Sequence, residues 1–170
     1  MSFVLRTARE SDYEVVSAAV DAWWTLPGHD TPAARRERVA LVPRLWLQHF
    51  AGTSLVAERD DEFVGFLIGF HSPDRPEESY IHFVGVRADA RAGGLGRALY
   101  ERFFALCRGA GRVRVRCITS PTNTVSIGFH RAMGFAIEAG VAAVGAVDAK
   151  PDYDGLGVAR VAFVRELGDR

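Results

Sequence analysis

The sequence predicts a mixed α/β fold in a single domain spanning residues 1–170, and three observations carry that expectation. Segments with strand-like alternation and segments with helical spacing follow one another along the chain. A strand, a glycine-rich turn and an amphipathic helix stand in immediate succession from Tyr80 to Leu106, the arrangement of a strand-helix-strand unit. A length of 170 residues suits one domain, since a chain of this size buries about two-thirds of its unfolded surface. The expected sheet is mixed, mostly antiparallel and flanked by helices.

Phe3 to Arg6 alternates as a short strand, and Ser11-Asp12-Tyr13-Glu14 reads as a capping box opening a helix that carries Val15, Val16, Ala19, Val20 and Trp23. Thr31 precedes Pro32 as an N-cap before a first-turn proline, and Pro43 interrupts that second helical stretch before Leu45, Trp46 and His49 continue it. Trp23, Trp24 and Trp46 supply core bulk. Thr53 to Glu58 and Glu62 to Phe70 are strands joined across Arg59-Asp60-Asp61 as a tight hairpin. After a loop at Ser72 to Pro76, Tyr80 to Val86 resumes strand character.

From Leu95, the positions Ala98, Leu99, Phe103 and Leu106 recur at helical spacing, and Gly109 and Gly111 end the helix. Val113, Val115 and Cys117 alternate with Arg112, Arg114 and Arg116, which predicts a strand with one polar face. Asn123 to Met133 reads as a short helix. Two strands, Phe135 to Val147 and Val158 to Arg165, bracket a polar, turn-rich loop from Asp148 to Gly155.

Lys plus Arg number 21 against 21 Asp plus Glu. That balance, without interleaved aromatic and basic residues, argues against nucleic acid and anionic membranes as partners. Locally, eight arginines between Arg87 and Arg116 face only Asp89 and Glu101, so positive charge is expected to gather around the glycine-rich turn. For Arg102 and Arg108 a solvated helix face is an equal explanation. Cys107 and Cys117 lack metal-ligand spacing, so no metal is expected, and they read as buried thiols of a reduced compartment. Met1 to Glu10 lacks the basic start and apolar run of a leader and no segment is apolar for long enough to span a bilayer, which predicts a cytoplasmic protein.

The turn itself, Val84-Gly85-Val86-Arg87-Ala88-Asp89-Ala90-Arg91-Ala92-Gly93-Gly94-Leu95-Gly96-Arg97, is suited to a phosphate chain. Glycines at 93, 94 and 96 let backbone amides approach an anion, the helix start adds unpaired N–H groups, and Arg91 and Arg97 add charge. No Gly-Lys-Ser/Thr and no Gly-x-Gly-x-x-Gly is present, so neither a nucleoside triphosphatase nor a dinucleotide fingerprint fits. Arg91, Gly94 and Gly96 instead match Arg/Gln-x-x-Gly-x-Gly/Ala, and Asn123 to Phe135, with His130 in an aromatic pair before Gly134-Phe135, supplies a second ordered motif.

Together these motifs resemble the Gcn5-related N-acetyltransferases over about Arg59 to Phe163. The resemblance implies the acetyltransferase fold and acetyl-CoA as co-substrate. It also implies direct transfer of an acetyl group to the amine of a small molecule, an amino acid or a peptide N-terminus. Backbone groups of Val84 and Val86 are then expected to pair with the pantetheine arm as an added strand. Arg91 and the amides of Ala92, Gly93, Gly94, Leu95, Gly96 and Arg97 are expected to take the pyrophosphate. Asn123 is expected near the cofactor, although an N-cap role serves it equally. In the same family the helical N-terminal region often forms a wall of the acceptor pocket, and dimers are common, so a homodimer is allowed.

His130 stands where many relatives carry a Tyr that protonates the departing thiolate, so imidazolium becomes the candidate acid, with a plain helix-surface residue as the rival reading. His82, placed by the period of two on one strand face with Tyr80, Val84 and Val86, is the candidate base, against a satisfied structural histidine. The loop residues Asp152, Tyr153 and Asp154 suit a cationic amine and turn chemistry equally. The loss of the usual Tyr also leaves a second class of function open, a CoA-binding sensor or regulatory module without catalysis.

Overall fold

A computed structural model describes residues 3–24, 31–140, 142–144 and 147–168, the backbone alone for 142–144. The chain forms two compact units, one of residues 1–70 and 83–106 and one of residues 71–82 and 107–170.

In the first unit, β1 (Val4–Thr7) pairs antiparallel with β2 (Leu55–Arg59), and β2 pairs antiparallel with β3 (Glu62–His71). The expected hairpin is present because Asp60 and Asp61 both adopt positive φ, 52° and 62°, the twist a two-residue turn needs. A helix α1 (Tyr13–Trp23) follows a 3-10 turn at Glu10–Asp12. The Ser11/Glu14 capping box does not form. Instead the Asp12 carboxylate accepts the Arg9 N–H at 2.7 Å and both terminal nitrogens of Arg6 at 2.8 Å. The Asp12 carboxylate thus caps the 3-10 turn, and the bidentate guanidinium from β1 holds it in place. Arg6 also holds Glu58 on the adjacent strand at 2.7 Å, so one guanidinium ties β1, β2 and the start of α1 together.

The Thr31 cap is realised: its hydroxyl accepts the Ala34 N–H at 3.2 Å at the start of α2 (Pro32–Ala40), and α3 (Leu45–His49) resumes beyond Pro43. Val16, Ala19 and Val20 of α1 bury against Val42, Leu47, Val56, Phe66 and Ile68. The tryptophans are half-buried rim of this core: Trp23 stacks on Phe63 at 5.6 Å, and Trp24 meets Phe83 at 4.9 Å with the rings tilted by 56°. On the other face of β3, a Cβ at Gly65 would lie 3.1 Å from Leu95, the buried first residue of α4 (Leu95–Gly109).

The strand β4 (Glu78–Val86) contributes its last residues to this unit and its first to the other. There, β4 pairs in parallel with β5 (Arg114–Thr119), β5 pairs antiparallel with β9 (Val161–Glu166), and β9 pairs with β6 (Ala136–Ile137). Sheet pairing is therefore mixed and mostly antiparallel, as expected. α5 (Thr124–Ala132) packs by Ile127 and His130. The single strand expected from Phe135 to Val147 is broken into β6 and a separate hairpin of β7 (Ala142–Val144) with β8 (Val147–Ala149). Between them, Gly140 passes against the Ala149 backbone, a close approach that only a residue without a Cβ permits.

Along β4, Tyr80, His82, Val84 and Val86 are all half-buried, in keeping with the period of two, while Ser79, Ile81 and Gly85 of the alternate set are buried and Phe83 is half-buried.

Gly85 sits where a Cβ would come within 2.7 Å of the Trp24 ring and closer still to that of Phe66. Replacing Gly85 by Ala should lower the unfolding free energy by about 1–3 kcal/mol through overpacking, read as a shifted midpoint in urea at unchanged slope.

Candidate functional site

The turn after β4 is held at both ends and open between them. Arg87 N–H bonds to the Val64 carbonyl at 2.9 Å at one end, and the buried Leu95 side chain anchors the other. A 3-10 turn at Ala88–Gly93 leads to Gly94, whose φ of 75° is the left-handed conformation that glycine adopts without strain. Beyond it α4 begins, closed by Ala98 N–H to the Gly94 carbonyl at 3.1 Å. The amides of Leu95, Gly96 and Arg97 precede the first intrahelical bond and lie at the positive end of the helix. A side chain at Gly93 or Gly94 would meet nothing within 4 Å, so this backbone faces open space.

Charge around the turn is arranged rather than massed. Arg87 pairs with Glu62 at 2.9 Å and with Asp89 at 2.8 Å. Asp89 also receives Arg59, and the two guanidiniums, Arg87 first, hold its pKa down to about 2. Arg91 donates its Nε to the Val86 carbonyl at 3.1 Å, a bond that does not use its terminal nitrogens. Arg97 is exposed and 3.7 Å from Glu101. A cavity of about 340 Å³ backs the turn, walled by Phe3, Arg59, Val64, Asp89 and Leu95.

Several of the arginines expected to enrich this turn do other work in the second unit. Arg114 holds Glu78 and Glu166, and Arg116 holds Glu78 and Glu138. Arg112 donates to the Ser72 and Pro76 carbonyls, and Arg108 to that of Leu167. Positive charge at the turn is thus that of Arg91 and Arg97, not of the whole run. Glu78 is buried; burial pushes its pKa up, but Arg116 and Arg114 outweigh this and hold it below the ordinary value.

Asn123 is the N-cap of α5, its Oδ1 accepting the Ser126 N–H at 3.0 Å. Two turns on from this cap, His130 is not a surface residue but 6% exposed, stacked on Phe163 at 4.7 Å and edge-on to Phe135 at 5.4 Å. Its Nδ1 lies 2.7 Å from the Ser126 carbonyl. A carbonyl only accepts, so Nδ1 carries the proton and the neutral ring leaves Nε2 as an acceptor. Burial lowers the His130 pKa, and the Ser126 bond offsets part of that.

His82 is half-buried on β4. His71 pairs through Nδ1 with the buried Ser79 hydroxyl at 2.8 Å, and its pKa is lowered by burial and then by Arg112. Burial pushes the Cys107 thiol up to about 11, and raises Cys117 as well, so neither is a ready nucleophile. Among the described residues no group of three His, Cys, Asp or Glu side chains converges, and no helix is long and apolar enough to cross a membrane.

In the second unit, the loop that the sequence offered for a cationic amine gains partners the sequence did not assign to it. Tyr80, which pairs across the sheet with Arg116, has its hydroxyl within electrostatic range of Tyr153, Asp154 and Arg160. Arg160 Nε donates to Asp154 Oδ2 at 2.7 Å. The polar loop was visible as composition, whereas its partner on β4 required the fold.

The family model for the acetyltransferase (GNAT) family matches residues 16–135. L-2,4-diaminobutyric acid acetyltransferase from Nocardia farcinica is 34% identical over 89 residues, 52% of this chain and 46% of that protein. The chain spans about half the length of the curated relatives it matches. Among solved structures, Ard1 from Thermoplasma volcanium aligns with a TM-score of 0.73 at 22% identity, covering 99% of this chain and 100% of that one. Diaminobutyrate acetyltransferase from Paenibacillus lautus, solved with L-2,4-diaminobutyric acid and coenzyme A, aligns at a TM-score of 0.67 and 20% identity, covering 99% and 98%. At these identities the structural likeness shows the fold.

The lowered pKa values of His130 and His71 set a pH dependence of stability. Below their ordinary 6.5 the unfolded chain binds protons that the folded chain refuses, so stability falls as pH drops through 6.5, before carboxylates of ordinary pKa near 4.5 begin to titrate. Unfolding free energies measured across that window should decline towards acid, and His130→Phe should shallow the decline; an unchanged slope would show that His130 contributes no linkage.

Proposed function

The chain belongs to the acetyltransferase (GNAT) family, and on that premise we propose that it is an acetyl-CoA-dependent N-acetyltransferase that moves an acetyl group directly to the amine of a small molecule, an amino acid or a peptide N-terminus. The observation that carries the proposal is the open turn at Gly93-Gly94 leading into the unpaired amides of α4, with Arg91 and Arg97 beside it. A pyrophosphate fits that arrangement: it needs several N–H donors, a positive field and backbone without Cβ cover.

Acetyl-CoA, when bound, supplies the thioester whose acetyl group is transferred. Leu95, Gly96 and Arg97 amides, with Ala92 to Gly94 and the terminal nitrogens of Arg91, hold the diphosphate. Arg91 is pre-set for this by its Nε bond to Val86, which fixes the fork before any ligand arrives. Backbone groups of Val84 and Val86 line the pantetheine arm, the Val86 carbonyl keeping one lone pair for it. Asn123 stabilises the start of α5 and through it the position of His130.

His82 acts as the base, accepting the amine's proton directly or through water. His130 can donate a proton from Nε2 only after gaining one there, and burial makes that imidazolium a minor species at neutral pH. Its contribution as an acid therefore grows as pH falls and vanishes as pH rises.

Two measurements test these roles. Arg91→Glu and Gly94→Val should each weaken CoA binding by about tenfold to a hundredfold in calorimetry, and unchanged affinity in both would remove the turn from cofactor binding. For His130→Phe, which keeps the stacked ring, the loss in kcat should be largest at the acid end of the pH–rate profile and small at the alkaline end. A loss that is constant with pH would take the proton-donor role from His130.

A further inference from the structure

We propose that Asp154 and Arg160, beside Tyr80, recognise the zwitterionic head of an α-amino acid, so that the amine acceptor carries a free carboxylate; this rests on the acetyl-transfer reading above. On this part of the second unit most cations are already committed. Arg114 is shared between Glu78 and Glu166, Arg116 between Glu78 and Glu138, and Lys150 holds Glu138 at 2.9 Å.

The Asp154–Arg160 pair differs. It is made through one contact, Nε to Oδ2 at 2.7 Å, and Arg160 Nη1 goes to the Ala159 carbonyl at 3.2 Å. Among the described residues Arg160 Nη2 and Asp154 Oδ1 make no hydrogen bond. A guanidinium N–H donor and a carboxylate oxygen therefore stand side by side and unspent, with the side chains 28% and 39% exposed. A carboxylate on Nη2 and an ammonium on Oδ1 complete both groups at once, whereas a simple amine satisfies only the second.

The pair is also held in place. Lys150 and Arg160 exchange backbone bonds at 2.8 and 3.0 Å, which fixes the base of the loop. Within the loop, Asp152 adopts a φ of 54° and its carboxylate accepts the Gly157 N–H at 2.5 Å, while Asp154 N–H bonds to the Val158 carbonyl at 3.3 Å. Tyr80 brings the group to β4, where His82 stands two residues further along the strand. Burial first, then Tyr153 and Asp154, raise the Tyr80 pKa against an opposing pull from Arg160, keeping the hydroxyl a neutral donor.

The test is steady-state thiol release from acetyl-CoA with L-2,4-diaminobutyrate and with 1,3-diaminopropane, the same diamine without its carboxylate. The wild-type protein should prefer the amino acid by about tenfold to a hundredfold in kcat/KM. Arg160→Gln should erase that preference mainly through KM, Asp154→Asn should raise KM for both amines, and CoA affinity should stay unchanged in each variant. Equal use of the two amines by wild type, or an intact preference in Arg160→Gln, overturns the carboxylate-reading role while leaving acetyl transfer standing. CoA binding with no turnover on any amine overturns both.

Discussion

Gly85 has no room for a side chain, and much of the first unit's geometry follows from that. The backbone of β4 lies directly against the rings of Trp24 and Phe66, and Phe83 stacks on Phe66 at 6.1 Å. A strand pressed onto an aromatic layer this closely cannot slide or rotate. Its end is therefore fixed, and with it the Val86 carbonyl and the Arg87 N–H from which the turn departs. At the far side, Leu95 buries against Gly65, another position where a glycine permits close approach. The turn between these anchors contributes little packing of its own, which is the economy expected of a loop whose backbone must remain available to a ligand.

Electrostatics follow the same division between structure and site. Two buried carboxylates, Asp12 and Glu78, are each satisfied by guanidiniums arriving from other elements, Arg6 for the first and Arg116 with Arg114 for the second. Removing one partner from such a group would leave an uncompensated buried charge, so these arginines are committed to the fold. Among the described residues with spare donors are Arg91 and Arg97 in the first unit and Arg160 in the second. A neutral chain can thus bind an anionic cofactor, because local geometry and not net charge decides where the donors point.

At the position where the family resemblance implied a Tyr, His130 is absorbed into an aromatic stack with its Nδ1 proton tied to Ser126. A phenol is an acid at any physiological pH, whereas a buried imidazole must first be charged. The substitution makes any contribution from this position pH-dependent in a way that a Tyr would not be.

Features governed by neighbouring residues were legible in the sequence: the Thr31 cap, the break at Pro43, the Asp60-Asp61 turn, the alternation of β5 and the glycine-rich turn into α4. Each is decided within a few residues by φ preference, a side-chain cap or hydrophobic period. Other features depended on partners distant in sequence. Asp12, and not Ser11, caps the entry to α1, held there by Arg6 from β1, and beyond Phe135 the chain passes Gly140 against the Ala149 backbone. His130 was drawn inward by Phe163, and the arginines of β5 were claimed by Glu78 through a parallel pairing. The amino-acid sequence by itself thus determined the kind of fold and the glycine-rich turn, whose open backbone is a matter of consecutive residues. Only the tertiary structure decided which charges stay free and which histidine is buried, because burial and ion pairing are set by residues that meet only when the sheet is assembled.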